Sequence, residues 1–223
     1  MIIEQPARFL RWIYPHAVWR MDPSEKTIYL TFDDGPIPEA TPFILQTLRQ
    51  YGIKATFFVV GDNVRKYPDL LRQIASEGHR IGNHTFNHIG GLRRTCKEYL
   101  DNTKKAQQII LETLQSDHHN PSSASMTNKQ EKIFRPPHGW MRTDQYRMIR
   151  RQGYQIILWD LVTRDYSRRL TAQDVLDNVK RLTRPGSIVT FHDSLRSISK
   201  LQKVLPEALE WLLSQGYVFK TFP

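Results

Sequence analysis

The chain has 223 residues, 39% of them hydrophobic and 24% charged, with a formal net charge of +10 and one cysteine, Cys96. That length and composition suit one well-buried globular domain, and neither a dividing linker nor an internal repeat is visible. A lone cysteine excludes an intrachain disulfide and any cysteine-rich zinc module, and no apolar run of about 18 residues is present to span a membrane. The basic residues are scattered as pairs (Arg65-Lys66, Arg93-Arg94, Lys104-Lys105, Arg150-Arg151, Arg168-Arg169) and form no basic-aromatic stripe. No nucleic-acid partner is therefore expected. The charge reads as solvated surface, whose functional version is attraction to an anionic glycan, lipid head group or membrane.

In chain order, residues 1–26 are expected to form a segment packing on a domain that spans 27–223. Arg8 and Arg11 interrupt the stretch that a secretion signal would keep apolar, so a cytoplasmic location is the default expectation. Phe9, Leu10, Trp12 and Ile13 predict a short amphipathic helix between Pro6 and Pro15, closing the base of the domain; peripheral contact with a membrane is the alternative.

Strands are predicted at 27–32, 55–60, 80–82, 133–135, 155–159, 187–191 and 217–219. Helices are predicted at 42–51, 68–77, 97–114, 144–152, 172–182 and 201–214. Gly52, Gly78, Gly153, Gly186 and Gly216 mark helix exits, and the polar stretch 116–132 reads as a mobile loop. Strands alternating with helices imply an α/β fold with a parallel sheet, open or closed into a barrel.

The first strand runs into Thr31-Phe32-Asp33-Asp34-Gly35-Pro36. Adjacent carboxylates repel, and on a strand they point to opposite faces. A cation at one would relieve the repulsion and leave the other free for proton transfer; an acidic turn is the plainer alternative. Further on, His84-Thr85-Phe86-Asn87-His88 places two histidines at i and i+4, on one face of a helical turn. Imidazole plus carboxylate suits zinc, with an open position for water or substrate. For His16, His118 and His119 a core or capping role is expected, and His79, in Glu77-Gly78-His79, reads as part of a helix exit.

Other chemically capable residues fall just after predicted strands. Arg135-Pro136-Pro137-His138-Gly139-Trp140 follows the fourth, Asp160 and Asp165 the fifth, and His192-Asp193 the sixth. Ligands of parallel βα folds bind at the carboxyl ends of strands, so one active site there is the economical explanation.

With these segments in hand, the chain resembles the NodB-type polysaccharide deacetylases, carbohydrate esterase family four. TFDDGP, HTFNH, RPPHG, WDLVTRDY and FHDS occur in the family's order, and the likeness runs over residues 27–217. The resemblance implies a distorted (β/α) barrel of about seven parallel strands, and metal-dependent hydrolysis of an N-acyl group, usually acetyl on an amino sugar. It implies Asp34, His84 and His88 as ligands of one divalent ion, Zn2+ first, with Co2+, Fe2+ or Mn2+ as substitutes. Asp33 is implied as general base, Arg135 as its orienting partner, His192 as general acid and Asp165 as the partner of His192. The backbone amide of His138 is implied in oxyanion stabilisation, and Pro137, Trp140, Tyr166 and Thr190 in substrate contact.

Several positions depart from the family pattern. His138 replaces a usual tyrosine, Tyr166 a common tryptophan and Thr190 a frequent aliphatic residue, and Val162 stands where another aspartate is common. An N-acetylated glycan is the expected partner; a small amide, a formamido sugar-lipid or a non-catalytic glycan-binding relative are alternatives. A two-His-one-carboxylate iron oxygenase shares the ligand set but has no use for Asp33, Arg135 and His192. No oligomeric state is read from the sequence.

Overall fold

Alternation along the first strand organises the fold. In β1 (Thr27–Asp33), Ile28, Leu30 and Phe32 join a large core beneath helices, while Tyr29, Thr31 and Asp33 face the opposite side. Burial on both faces is the mark of a central strand in a parallel sheet. The structure, a computed structural model, describes residues 4–6, 10–116 and 131–223. The predicted loop at 116–132, apart from its ends, lies outside the described residues, as do Phe9, His118 and His119.

The other strands are β2 (Thr56–Val59), β3 (Arg80–Asn83), β4 (Lys132–Phe134), β5 (Tyr154–Ile156), β6 (Leu161–Val162), β7 (Ile188–His192) and β8 (Val218–Phe219). They pair in the order β5-β4-β3-β2-β1-β7-β6, all parallel, and β8 joins the start of β1. The helices are α1 (Leu10–Ile13), α2 (Thr41–Gln50), α3 (Gly61–Lys66), α4 (Pro68–Ser76), α5 (Cys96–Gln115), α6 (Thr143–Arg151), α7 (Ala172–Leu182) and α8 (Ile198–Ser214). Seven parallel strands curl into a half-barrel surrounded by helices, as the sequence implied.

Local signals account for several boundaries. Proline in the first turn starts α2 and α4, and reciprocal Thr95–Glu98 and Thr171–Asp174 capping starts α5 and α7. Ile44, Leu48, Ile74, Val179 and Leu205 bring four helices onto the outer face of β1, β2 and β7. Inside the barrel, Phe58, Ile133, Ile157, Ile188 and Phe222 fill the lower part, with Phe222 stacked 5.3 Å from Tyr29. Val18 pairs along Ile156 and Leu158, and the Met21 N–H donates to the Gly186 carbonyl, so residues 18–21 bridge from β5 to the start of β7.

Some sequence expectations need correction. The segment 84–88 is not a helical turn: it is a loop in which Thr85 and His88 have φ of 65° and 53°. Asn102 Oδ1 accepts from the Phe86 and Asn87 N–H groups and Asn83 Oδ1 from Thr85 N–H, supports invisible to local spacing. Asp160 lies before an unforeseen strand, β6, and pairs with Arg184 and Ser187 below the sheet, away from the strand carboxyl ends. The short helix α3 was also not foreseen. Gly186 is no helix exit, since α7 ends at Leu182; a Cβ there would meet the Met21 carbonyl oxygen at 2.5 Å.

His79 belongs to the framework. Its buried Nδ1 accepts from the Ala55 N–H at 3.2 Å, beside Phe57. Burial, with the charge of Lys54, pushes its pKa down to about 4 despite nearby Glu77. A proton therefore favours the unfolded chain: the stability held by the neutral ring is complete above the unfolded value near 6.5 and falls as pH drops toward 4. The loss is on the order of 3 kcal/mol. His79→Gln should flatten that part of a plot of urea midpoint against pH; an unchanged slope would overturn the assignment.

Candidate active site

Strand register supplies the first part of the site. Asp33 lies opposite His192 across the β1–β7 pair, at the carboxyl ends of both strands. Arg135, the residue after β4, is fully buried inside the barrel. Its Nη1 donates to Asp33 Oδ1 at 2.7 Å and to Thr31 Oγ1 at 2.8 Å, and its Nη2 donates to the Leu158 carbonyl at 2.9 Å. The guanidinium also lies 4.1 Å from the Phe58 ring centroid. The pairing holds Asp33 by one oxygen, and the residue lines a cleft of about 870 Å³.

Asp34 leaves the strand with φ of 82°, which turns its carboxylate into the same cleft instead of onto the opposite face. Its Oδ1 lies 3.1 Å from His88 Nε2 and 3.6 Å from His84 Nε2. Ligand atoms of the three residues fall within 4.8 Å of one another, the one such group of acidic, His or Cys residues found among the described residues. His84 Nδ1 lies 2.7 Å from the Arg135 carbonyl, which takes the ring N–H and leaves the Nε2 lone pair for a cation. Burial would raise the Asp34 pKa, but the adjacent His84 and His88 imidazoles and the charge of His192 hold it well below the usual range. An anion with two imidazole nitrogens is a donor set suited to a divalent metal.

His192 is clamped by Asp165, which is fully buried. The carboxylate accepts from the His192 backbone N–H and faces its Nδ1, both at 2.8 Å. Burial opposes a charged ring, yet the charge and hydrogen bond of Asp165, with Asp34 and Asp33, push the His192 pKa up to about 9. Tyr166 packs edge-on against this ring at 4.6 Å.

The substrate-contact candidates divide. His138, Trp140, Tyr166 and Thr190 line the cleft, whereas Pro137 lines an adjoining groove. Thr190 is fully buried and its hydroxyl is engaged with Thr31 at 3.0 Å. His138 has φ of 61° and sets its ring against His88 at 4.8 Å. Gly139 is required beside it: φ is 74°, and a Cβ would meet the Trp159 ring at 2.4 Å.

Sequence reasoning gave no role to Asp193, Thr41 or Asn63. Thr41 accepts from the Ile37 N–H and donates to Asp193 at 2.6 Å, while Asn63 donates to the Asp34 carbonyl at 2.7 Å. Gly35 sits directly over Asp193, where a Cβ would lie 2.0 Å from Oδ2. Together these contacts hold the loop bearing Asp33 and Asp34. Burial, with the charges of Asp34 and Glu39, pushes the Asp193 pKa up to about 8 against the Thr41 hydrogen bond. The only sequence signal was the adjacency of Asp193 to His192.

A half-barrel with a His-His-Asp cluster, an Arg-held carboxylate and an Asp-held histidine at its strand carboxyl ends defines a hydrolase-type site. The family model described as polysaccharide deacetylase matches residues 20–157, and the chain belongs to that family, whose activity is hydrolysis of a non-peptide carbon–nitrogen bond. It is 34% identical over 216 residues to a peptidoglycan-N-acetylglucosamine deacetylase of Bacillus cereus, covering 92% of this chain and 91% of the relative. Among solved structures, the Bc1960 peptidoglycan N-acetylglucosamine deacetylase, bound to 4-naphthalen-1-yl-N-oxidanyl-benzamide, superposes with a TM-score of 0.84 at 29% identity, covering 96% of this chain and 94% of its own. BA3943 of Bacillus anthracis, described as a CE4 family pseudoenzyme, superposes with a TM-score of 0.79 at 25% identity, covering 93% and 68%.

Removing one member of the buried ion pair should be costly. Arg135→Met would strand the Asp33 carboxylate and the Leu158 carbonyl, lowering stability by about 3–5 kcal/mol. The Asp33→Asn/Arg135→Met double variant should recover part of the loss in urea unfolding. Strict additivity would show that the two side chains are not coupled.

Proposed function

We propose that the chain removes the acetyl group from N-acetylglucosamine in a peptidoglycan-type glycan. The likeness to a relative of that name over nearly the full length of both chains supports the substrate. The observation that carries the reaction is the meeting, in one cleft, of a three-residue ligand cluster, an oriented carboxylate and a histidine held by a buried aspartate. Asp34, His84 and His88 would hold one divalent ion, zinc by the nature of the donors, with cobalt, iron or manganese as substitutes. When bound, such an ion supplies Lewis acidity, polarising an acyl carbonyl and lowering the pKa of water.

Asp33 accepts the proton of the attacking water. Arg135 holds one of its oxygens, and the other makes no hydrogen bond among the described residues. The His138 backbone N–H, likewise unpaired among the described residues, donates to the oxygen that gains charge. His192 carries a proton at neutral pH and transfers it to the leaving nitrogen, without which an amine leaves poorly. Asp165 orients the ring through Nδ1, so Nε2 is the atom that delivers the proton.

The pseudoenzyme among the structural neighbours favours one second reading, glycan binding without turnover. Acetate release from peptidoglycan fragments and chitooligosaccharides, with and without chelation, separates the two; no release by zinc-loaded protein would overturn hydrolysis.

Two further outcomes are expected. Asp33→Asn should retain metal but lose about 10²–10⁴-fold in rate, whereas His84→Ala/His88→Ala should lose the metal. Full metal content in the double histidine variant would refute the ligand assignment. The rate should need His192 protonated, giving an alkaline limb set by its raised pKa. Asp165→Asn withdraws the raising charge, so that limb should move to lower pH while the acidic limb moves less. An unmoved alkaline limb in a metal-replete variant would remove His192 from the acid role.

A further inference from the structure

Beyond the cleft, a groove of about 510 Å³ runs from His88, His138 and Trp140, which it shares with the cleft, to Leu92, Arg93 and Arg94. The groove and the cleft therefore adjoin at these three side chains. Trp140 is 40% and Leu92 59% exposed, leaving apolar faces of the kind that pack on the C–H surface of a sugar ring. Arg93 and Arg94 are both exposed, and neither guanidinium makes a hydrogen bond or ion pair among the described residues. Glu98, which lies within reach of the Arg94 charge, is instead held by the Thr95 N–H and hydroxyl.

The loop carrying these arginines is braced from inside. Fully buried Gln145 donates through Nε2 to the Gly91 carbonyl at 2.9 Å and the Arg94 carbonyl at 3.0 Å, and its Oε1 accepts from the Arg142 N–H at 2.9 Å. A Cβ at Gly91 would lie 2.3 Å from Gln145 Oε1, so the glycine permits this close seating. Backbone fixed in this way lowers the ordering cost of binding.

We propose that the groove is a subsite for a neighbouring sugar of the same glycan that carries a carboxylate, with Trp140 under the ring and Arg93 and Arg94 on the acid. The proposal rests on the glycan reading above and names a specificity within it. Because the groove shares His88, His138 and Trp140 with the cleft, its occupant lies next to the reacting sugar, as part of the same polymer. A planar guanidinium is matched by a carboxylate, which accepts two parallel N–H bonds. The acid is either ether-linked to the sugar or part of a peptide attached to it.

Calorimetric titration of the full chain, chelated to prevent turnover, tests this with three probes. They are chitotetraose, a tetramer alternating N-acetylglucosamine with N-acetylmuramic acid, and that tetramer bearing its stem peptides. Either acidic tetramer should bind roughly fivefold or more tightly than chitotetraose at low salt, as expected for two partly exposed ion pairs. Preference already present without peptide assigns the sugar-linked acid; preference only with peptide assigns the peptide acid. Arg93→Ala/Arg94→Ala should abolish the preference and leave chitotetraose affinity unchanged, and Arg93→Lys/Arg94→Lys should keep part of it. Equal affinity of the unaltered chain for all three probes, or equal weakening of all three in the alanine variant, overturns the subsite. Acidic preference without acetate release in the earlier assay would refute hydrolysis and keep the subsite; acetate release without preference would do the reverse.

Discussion

The buried pair between Arg135 and Asp33 is the constraint on which the interior depends. A guanidinium with no exposure is tolerated only when its donors are satisfied, because desolvating an unpaired charge costs several kcal/mol. Here they reach Asp33 and Thr31 on β1 and the carbonyls of Ile157 and Leu158 beyond β5. One side chain thereby ties opposite parts of the half-barrel together. It also divides the interior into layers: aromatic and aliphatic residues below, the guanidinium and two threonine hydroxyls in the middle, and the reacting groups above.

Around that centre the backbone adopts conformations that side chains disfavour. Asp34, Thr85, His88, His138 and Arg164, none of them glycine, have φ between 53° and 82°. Such residues cost of order 1–3 kcal/mol each and persist where surrounding contacts over-determine them. The contacts are identifiable: Asn63 on the Asp34 carbonyl, Asn83 on Thr85, Asn102 across residues 86 and 87. The ligand cluster is thus assembled by strained loops that polar side chains from α3, β3 and α5 hold in place.

Charge is partitioned within the molecule. Acidic groups converge at the cleft floor, where they favour a cation and a protonated histidine, while the excess of positive charge lies on the surface. Most of that surface charge reads as solvation, but Arg93 and Arg94 differ because a buried glutamine fixes their loop beside an aromatic wall.

The βα alternation, most helix boundaries and the meeting of His84 and His88 with one of two adjacent carboxylates were legible in the sequence, because proline starts, threonine caps, strand hydrophobicity and motif spacing act over a few residues. Motif resemblance chose Asp34 as the ligand and Asp33 as the base, and named Arg135, Asp165 and His192. Spacing misread residues 84–88 as a helical turn, since the asparagines that shape this loop come from β3 and α5. It misplaced Asp160 because a two-residue strand, β6, has too little pattern to be seen, and that strand separates Asp160 from Asp165 onto opposite ends of the sheet. Asp193, Thr41 and Asn63 gave no local sign of supporting the Asp33-Asp34 loop. Local chemistry thus determined which residues were available to the site. Which of them face one another was decided by strand register, the turn at Asp34 and the buried Arg135, all of which depend on contacts between segments far apart in the chain.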